Sequence, residues 1–189
     1  MYLIPPCSPP QGSTSPFVYA DGVFSVGDLD RIQEILNKLE LVDGQTQETF
    51  DNYRKSLVSF LGCDDNTKWI FEKLSNVIHQ LNTNYYRFNI TGLDNIQYAF
   101  YDSEFGGKYD WHHDYIEGTG PSRKLTVVIQ LSDPNEYSGG ELEIFPEIQV
   151  PKKRGLVCMF PSYSHHRVTP IVSGQRKVLV AWVWGPPFA

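Results

Sequence analysis

The 189-residue chain has no apolar run long enough to span a membrane, only three cysteines and no long Lys/Arg run. Each shortage excludes something. A membrane helix needs about 20 consecutive apolar residues, and the opening Met-Tyr-Leu-Ile-Pro-Pro also lacks the basic segment and long apolar stretch of a secretory signal. Cys7, Cys63 and Cys158 are an odd number without pairing or metal-type spacing, which suits a reducing compartment. The formal charge is −6, and the lone basic triplet, Lys152-Lys153-Arg154, is bracketed by the turn residues Pro151 and Gly155. A solvated hairpin tip explains it, and nucleic acid is not expected as a partner. The expectation is a soluble cytoplasmic protein without a membrane anchor.

What the chain does have is aromatic mass: eleven Tyr, eleven Phe and four Trp, enough for an ordered interior in a single domain over 1–189. Residues 1–20 are expected to be an extended arm, because Pro, Ser, Gly and Gln dominate the first sixteen. Residues 21–92 read as mainly helical support. Ser25 and Asp28 form a capping signature ahead of Leu29, Ile32, Leu36 and Leu39 at helical spacing. Two more helices are expected over 47–61 (Phe50, Tyr53, Leu57, Leu61) and 67–81 (Ile70, Leu74, Ile78, Leu81). Tyr86, Phe88 and Ile90 then alternate in the manner of a strand.

From 93 to 189 short β-like segments follow, near 96–101, 108–114, 124–131, 141–145, 155–160, 164–169 and 176–184, separated by turn residues such as Gly106-Gly107 and Ser173-Gly174. This order predicts an α+β fold, a double-stranded β-helix (jelly-roll, cupin-like) core with amino-terminal helices packed on one sheet. No Gly-rich turn joins a strand to a helix, so a dinucleotide or P-loop site is excluded.

The sharpest chemical signal is Tyr-Asp-Trp-His-His-Asp-Tyr (109–115). On a strand His112 and Asp114 share a face and can converge on one cation, with His113 facing away. Five histidines and twelve aspartates would supply roughly 0.3 such pairs by chance, so the pair is weak alone. A further histidine, His165 or His166, is expected from the second sheet, but adjacent residues face opposite ways, so only one of the two can join. Two histidines and a carboxylate leave one side of a metal open, as in non-haem Fe(II) oxygenases. Arg176, expected beyond a turn at Ser173-Gly174 on the strand neighbouring the histidine pair, is flanked by Val178, Leu179, Val180, Ala181 and Trp182. Buried there it requires an anion, either an internal Asp or Glu or a co-substrate carboxylate.

The ordered set Gln97-Tyr98-Ala-Phe-Tyr101, Tyr109-Asp-Trp-His112-His-Asp114, Arg123-Lys-Leu-Thr126, Gln130-Leu-Ser, Gly139-Gly140-Glu-Leu142, His166-Arg-Val168-Thr-Pro170, Gly174-Gln-Arg176 and Trp182 resembles the Fe(II)/2-oxoglutarate-dependent dioxygenases, in particular their prolyl 4-hydroxylase-like branch. It covers nearly half the chain. The resemblance implies His112, Asp114 and His166 as iron ligands, with His166 chosen because His-x-Val-x-Pro starts there. It implies Arg176 as the holder of the distal carboxylate of 2-oxoglutarate, and Tyr101 as part of the co-substrate pocket. Gln130 stands where many relatives carry a tyrosine, so Gln130 or Thr126 is a candidate second donor. Val178 and Val180 replace the serine or threonine some relatives place after the arginine. Trp182 is expected beneath the site, and Trp111 and Tyr115 as core or substrate wall.

The implied reactants are Fe(II), 2-oxoglutarate and O2, with ascorbate as an optional reductant, and the implied products include succinate and CO2. A peptidyl proline or lysine is the expected substrate, hence a peptide or protein partner; oligomeric state is not encoded legibly. The alternatives are an oxygenase acting on a small molecule or nucleobase, a non-catalytic metal-binding jelly-roll module, and a zinc hydrolase.

Overall fold

The structure, a computed structural model, describes residues 15–44, 53–116, 118 and 120–188. Its strands are β1 Val18–Ala20, β2 Val42–Asp43, β3 Arg54–Lys55, β4 Leu57–Leu61, β5 Gly92–Leu93, β6 Ile96–Asp102 and β7 Lys108–His112. They continue as β8 Ser122–Gln130, β9 Tyr137–Gly139, β10 Leu142–Ile144, β11 Ile148–Gln149, β12 Val157–Pro161, β13 His166–Val168 and β14 Ile171–Gly185. Two helices, α1 Val26–Leu36 and α2 Lys68–Leu81, precede most of the sheet. The larger sheet runs β1-β12-β8-β14-β6-β4-β2, with β5 and β9 also paired to β14, and the smaller runs β11-β10-β13-β7-β3. The result is a mostly β molecule of jelly-roll type. No helix among the described residues is long and apolar enough to cross a membrane.

α1 starts where its sequence says it should. Ser25 Oγ accepts from Asp28 N at 3.1 Å, and the Asp28 carboxylate accepts from Ser25 N at 2.8 Å, so two donors that open the helix are satisfied reciprocally. Leu29, Ile32 and Leu36 form its buried stripe; Leu39 lies beyond its end and is partly buried against the same core. That cluster also contains Ile70, Leu74, Val77 and Ile78 of α2 and Ile96, Leu125, Val127, Ile129, Leu179, Ala181 and Val183 of the larger sheet. The other faces of the same strands contribute Ala99, Tyr101, Val128 and Val178 to a second cluster, shared with Leu142, Ile144 and Val168 of the smaller sheet. Strands buried on both faces explain why β8 and β14 read as nearly continuous apolar runs. Cys158 is fully buried in that second cluster, and burial pushes its thiol pKa far up.

Several expectations are corrected. Over 47–61, residues through 52, Phe50 among them, lie outside the described set, and the rest is not helical: Leu57–Leu61 is a strand antiparallel to β6, with Leu57 opposite Phe100 and Leu61 opposite Ile96. Tyr53, Leu57 and Leu61, four apart, fit a helix as well as a strand, and the open edge of β6 decides between them. Tyr86, Phe88 and Ile90 are not a strand either. α2 continues into a π turn, Asn82–Tyr86, because the Asn82 side chain accepts from Phe88 N and donates to Phe88 O, both at 2.9 Å, closing the chain on itself.

Ser173-Gly174 does not end a strand but lies inside β14 as an irregularity, with φ of +72° at Gly174 and a register shift against β9. The chain changes sheets earlier, at Thr169-Pro170. Arg176 is therefore not on a strand adjoining the histidine pair; it stands in the larger sheet, opposite Tyr101 of β6.

Candidate metal centre

β7 and β13 are antiparallel neighbours in the smaller sheet, and His112 pairs directly with His166. Both histidines thus come from one sheet, and not one from each as expected. β7 ends at His112, so Asp114 lies just past the strand, tied back by Asp114 N and Tyr115 N donating to Ser162 O, each at 2.9 Å. One ligand atom from each of His112, Asp114 and His166 lies within 4.8 Å of the others. His166 Nε2 is 3.5 Å from Asp114 Oδ2, and His112 Nε2 is 3.9 Å from Asp114 Oδ1.

The tautomers follow from the surroundings. His112 Nδ1 is 2.7 Å from the Asp110 carbonyl and His166 Nδ1 is 3.0 Å from the Ser164 carbonyl. A carbonyl only accepts, so each Nδ1 carries the proton and each Nε2 keeps its lone pair for the centre. Burial, then the neighbouring His166, lowers the His112 pKa to about 3, so the imidazole is neutral at physiological pH. Burial alone would raise the Asp114 pKa. The imidazoles of His166 and His112, the Trp182 indole and the Thr126 hydroxyl outweigh it, and the carboxyl is held below its usual range. Two imidazoles and one carboxylate are the donor set of an open divalent-metal site.

Thr126 is committed here: its hydroxyl donates to Asp114 Oδ2 at 2.8 Å and lies 3.0 Å from Ser162 Oγ. That corrects its candidacy as a donor to a co-substrate. Tyr109 stacks on the His112 ring at 3.5 Å and Phe160 meets the His166 ring edge-on at 4.7 Å, which fixes both imidazoles in place.

The three residues line a cavity of about 740 Å³ between the sheets, whose opposite wall includes Tyr101, Arg176, Val178, Val180 and Trp182. Arg176 is 1% exposed. Its Nη2 donates to Gln130 Oε1 at 3.3 Å and its guanidinium sits 5.5 Å from the centre of the Tyr101 ring. No Asp or Glu among the described residues pairs with it. Among the described residues, the buried side-chain polar atoms without a hydrogen-bond partner are Arg123 Nε, Gln130 Nε2, Arg176 Nε, Arg176 Nη1 and Trp182 Nε1, the last facing Asp114 without closing a bond. All five are donors. Unpaired buried donors with no unpaired acceptors call for an acceptor-rich, anionic guest.

Trp111 and Tyr115 also line the cavity, Trp111 beneath the Arg167 guanidinium at 4.6 Å. His113 and His165 are outside the three-residue cluster and form an exposed pair of their own. Sequence reading missed Ser162, the Asp110 and Ser164 carbonyls, and the unpaired nitrogen of Arg123. The carbonyls had a legible signal, since each sits two residues before its histidine; Ser162 had none.

A sequence model of the 2OG-Fe(II) oxygenase superfamily matches residues 96–184. A PKHD-type hydroxylase of Hyphomonas neptunium is 40% identical over 85 residues, 41% of this chain and 38% of that protein. One from a Synechococcus species is 40% identical over 86 residues, covering 43% and 38%. The matched stretch thus spans about two fifths of these curated relatives. In three dimensions, a prolyl hydroxylase of Trichoplax adhaerens, solved with a hypoxia inducible factor peptide fragment, superimposes with a TM-score of 0.74 at 19% identity, over 91% of this chain and 84% of that one. A collagen prolyl hydroxylase of Paramecium Bursaria Chlorella virus-1, solved with 2OG, gives 0.72 at 17% identity, over 91% and 97%. Sequence match, shared fold and the clustering of His112, Asp114 and His166 converge: residues 96–184 match the 2OG-Fe(II) oxygenase superfamily, and the chain has the fold of prolyl hydroxylases.

Proposed function

We propose that the chain is an Fe(II)- and 2-oxoglutarate-dependent hydroxylase acting on a peptidyl proline or lysine side chain. The observation that carries the reading is the buried Arg176, with two unpaired guanidinium nitrogens across the cavity from a two-histidine, one-carboxylate cluster. His112, Asp114 and His166 would hold the iron. Arg176 would hold the distal carboxylate of 2-oxoglutarate through a forked charge-assisted contact, with Gln130 and Tyr101 shaping that end. Bound together, Fe(II) and the 2-oxo acid supply the activation of O2 that leaves succinate and CO2.

The protein's own contribution is positional. The carbonyls of Asp110 and Ser164 keep both Nε2 atoms available, and Thr126 aims one Asp114 oxygen. Val178 and Val180 make the wall between Arg176 and Trp182 apolar, which keeps water from competing for the guanidinium. Trp111, Tyr115 and Ile116 offer aromatic and apolar surface to a side chain presented from outside. The PKHD-type hydroxylase relatives and the prolyl hydroxylase solved with a peptide favour a peptide over a small molecule or nucleobase.

Succinate release should be measured with Fe(II), 2-oxoglutarate and ascorbate against prolyl peptides, lysyl peptides, methylated oligonucleotides and no substrate. Fe(II)-dependent succinate formation coupled to a gain of one oxygen on a peptide is expected. Turnover with zinc in place of iron, or coupling only to the oligonucleotide, rejects the reading.

A further inference from the structure

We propose that His113 and His165 form a second metal site, for a zinc-like divalent cation, distinct from the cluster of His112, Asp114 and His166. The strand ends bring the two together: β7 ends at His112 and β13 begins at its partner His166, so His113 and His165 are the next residues beyond that pair on the two antiparallel segments. Neither ring belongs to the cluster of His112, Asp114 and His166; both stand at the lining of the same cavity, beside it. Both residues are exposed, and their rings lie 5.4 Å apart at 84°.

That spacing is informative. A metal lies about 2.1 Å from an imidazole nitrogen and roughly 3.2 Å from the ring centre, so two imidazoles have centres ~5.2 Å apart at a tetrahedral angle and ~4.5 Å apart at a right angle. His113 and His165, at 5.4 Å, suit the tetrahedral geometry zinc prefers, whereas His112 and His166, at 4.1 Å, suit adjacent positions of an octahedral ion. The rings also differ in their commitments. His112 and His166 each spend one nitrogen on a backbone carbonyl, and neither His113 nor His165 makes a side-chain hydrogen bond to the described protein. Water would complete the shell. An ion held there would clip β7 to β13, the two strands that bring the other histidines together.

The competing explanation is an edge-to-face contact between two imidazoles, with no response to metal. Equilibrium dialysis of the full chain against Zn2+ should retain two equivalents. One should be lost in His113→Ala and in His165→Ala, and Asp114→Ala should keep that equivalent while losing the other. Zn2+ should also raise the Tm of Asp114→Ala by roughly 2–4 °C, as expected for a ligand that binds only the folded chain. The rise should vanish when His113→Ala is added. A single equivalent in the unsubstituted protein, or a second that survives either histidine substitution, overturns the proposal. The two histidines are exposed, so their replacement does not threaten the fold.

Discussion

His112 and His166 are direct cross-strand partners whose imidazoles lie 4.1 Å apart, and each ties its Nδ1 to the carbonyl two residues upstream in its own chain segment. The same local device is used twice, so the two rings present equivalent nitrogens to one point. Asp114 lacks such symmetry, because it lies past the strand and depends on Thr126 and Ser162 for its aim.

Thr126→Val keeps shape and removes the hydrogen bond to Asp114. Metal affinity should fall by about 10-fold or more with little change in Tm, since groups that orient a ligand commonly contribute that much. A Mn2+ or Fe(II) titration checks it, and unchanged affinity removes Thr126 from the supporting role.

Arg176→Met should remove the response to 2-oxoglutarate while leaving the ligand-free protein as stable as before, or more stable by about 1 kcal/mol, because two buried unpaired donors disappear with the charge. Thermal melts with and without 2-oxoglutarate read both effects. A melt that still rises with the ligand would disconnect Arg176 from the anion.

Gly140 has φ of +63°, and a Cβ there would come 2.3 Å from Ile171 Cδ1 and 3.1 Å from Arg176 Cδ. Gly140→Ala should cost about 1–2 kcal/mol from the left-handed backbone alone and more from the contact with Ile171. It should also raise the 2-oxoglutarate requirement, since the aliphatic stem of Arg176 must move. Urea unfolding and a 2-oxoglutarate titration separate the two effects.

The lowered His112 pKa has a definite consequence for acid stability. The folded protein keeps this imidazole neutral down to about pH 3, while the unfolded chain protonates it near the ordinary histidine value of 6.5. Its contribution is present above 6.5 and lost as pH falls from there toward 3. Metal-free protein should therefore lose stability through this window, and His112→Gln should flatten the profile between pH 6.5 and 5. Identical slopes would contradict the assignment.

The site was more legible in the sequence than the fold around it. His-x-Asp spacing singled out His112 and Asp114, and the resemblance carried by His-x-Val-x-Pro singled out His166, the three side chains that the structure brings together. The capping pair Ser25 and Asp28 was equally local. What the sequence hid was partnership over distance. Leu57–Leu61 became a strand because β6 had an open edge, Asn82 closed a π turn through a contact six residues away, and β14 ran straight through Ser173-Gly174. Arg176 showed its need for an anion through its apolar neighbours, yet which sheet carried it depended on where the chain crossed over, at Thr169-Pro170.

β14 is hydrogen-bonded along its length to β6 and β8 and also pairs with β5 and β9. In amide deuterium exchange, the backbone of Arg176 should therefore report only complete unfolding, whereas Asp114 and Tyr115, held by a single carbonyl past the end of β7, should label in much smaller openings. The two halves of the cavity would then differ in kind: the arginine wall is a fixed datum, and the carboxylate side is the half free to adjust to what arrives.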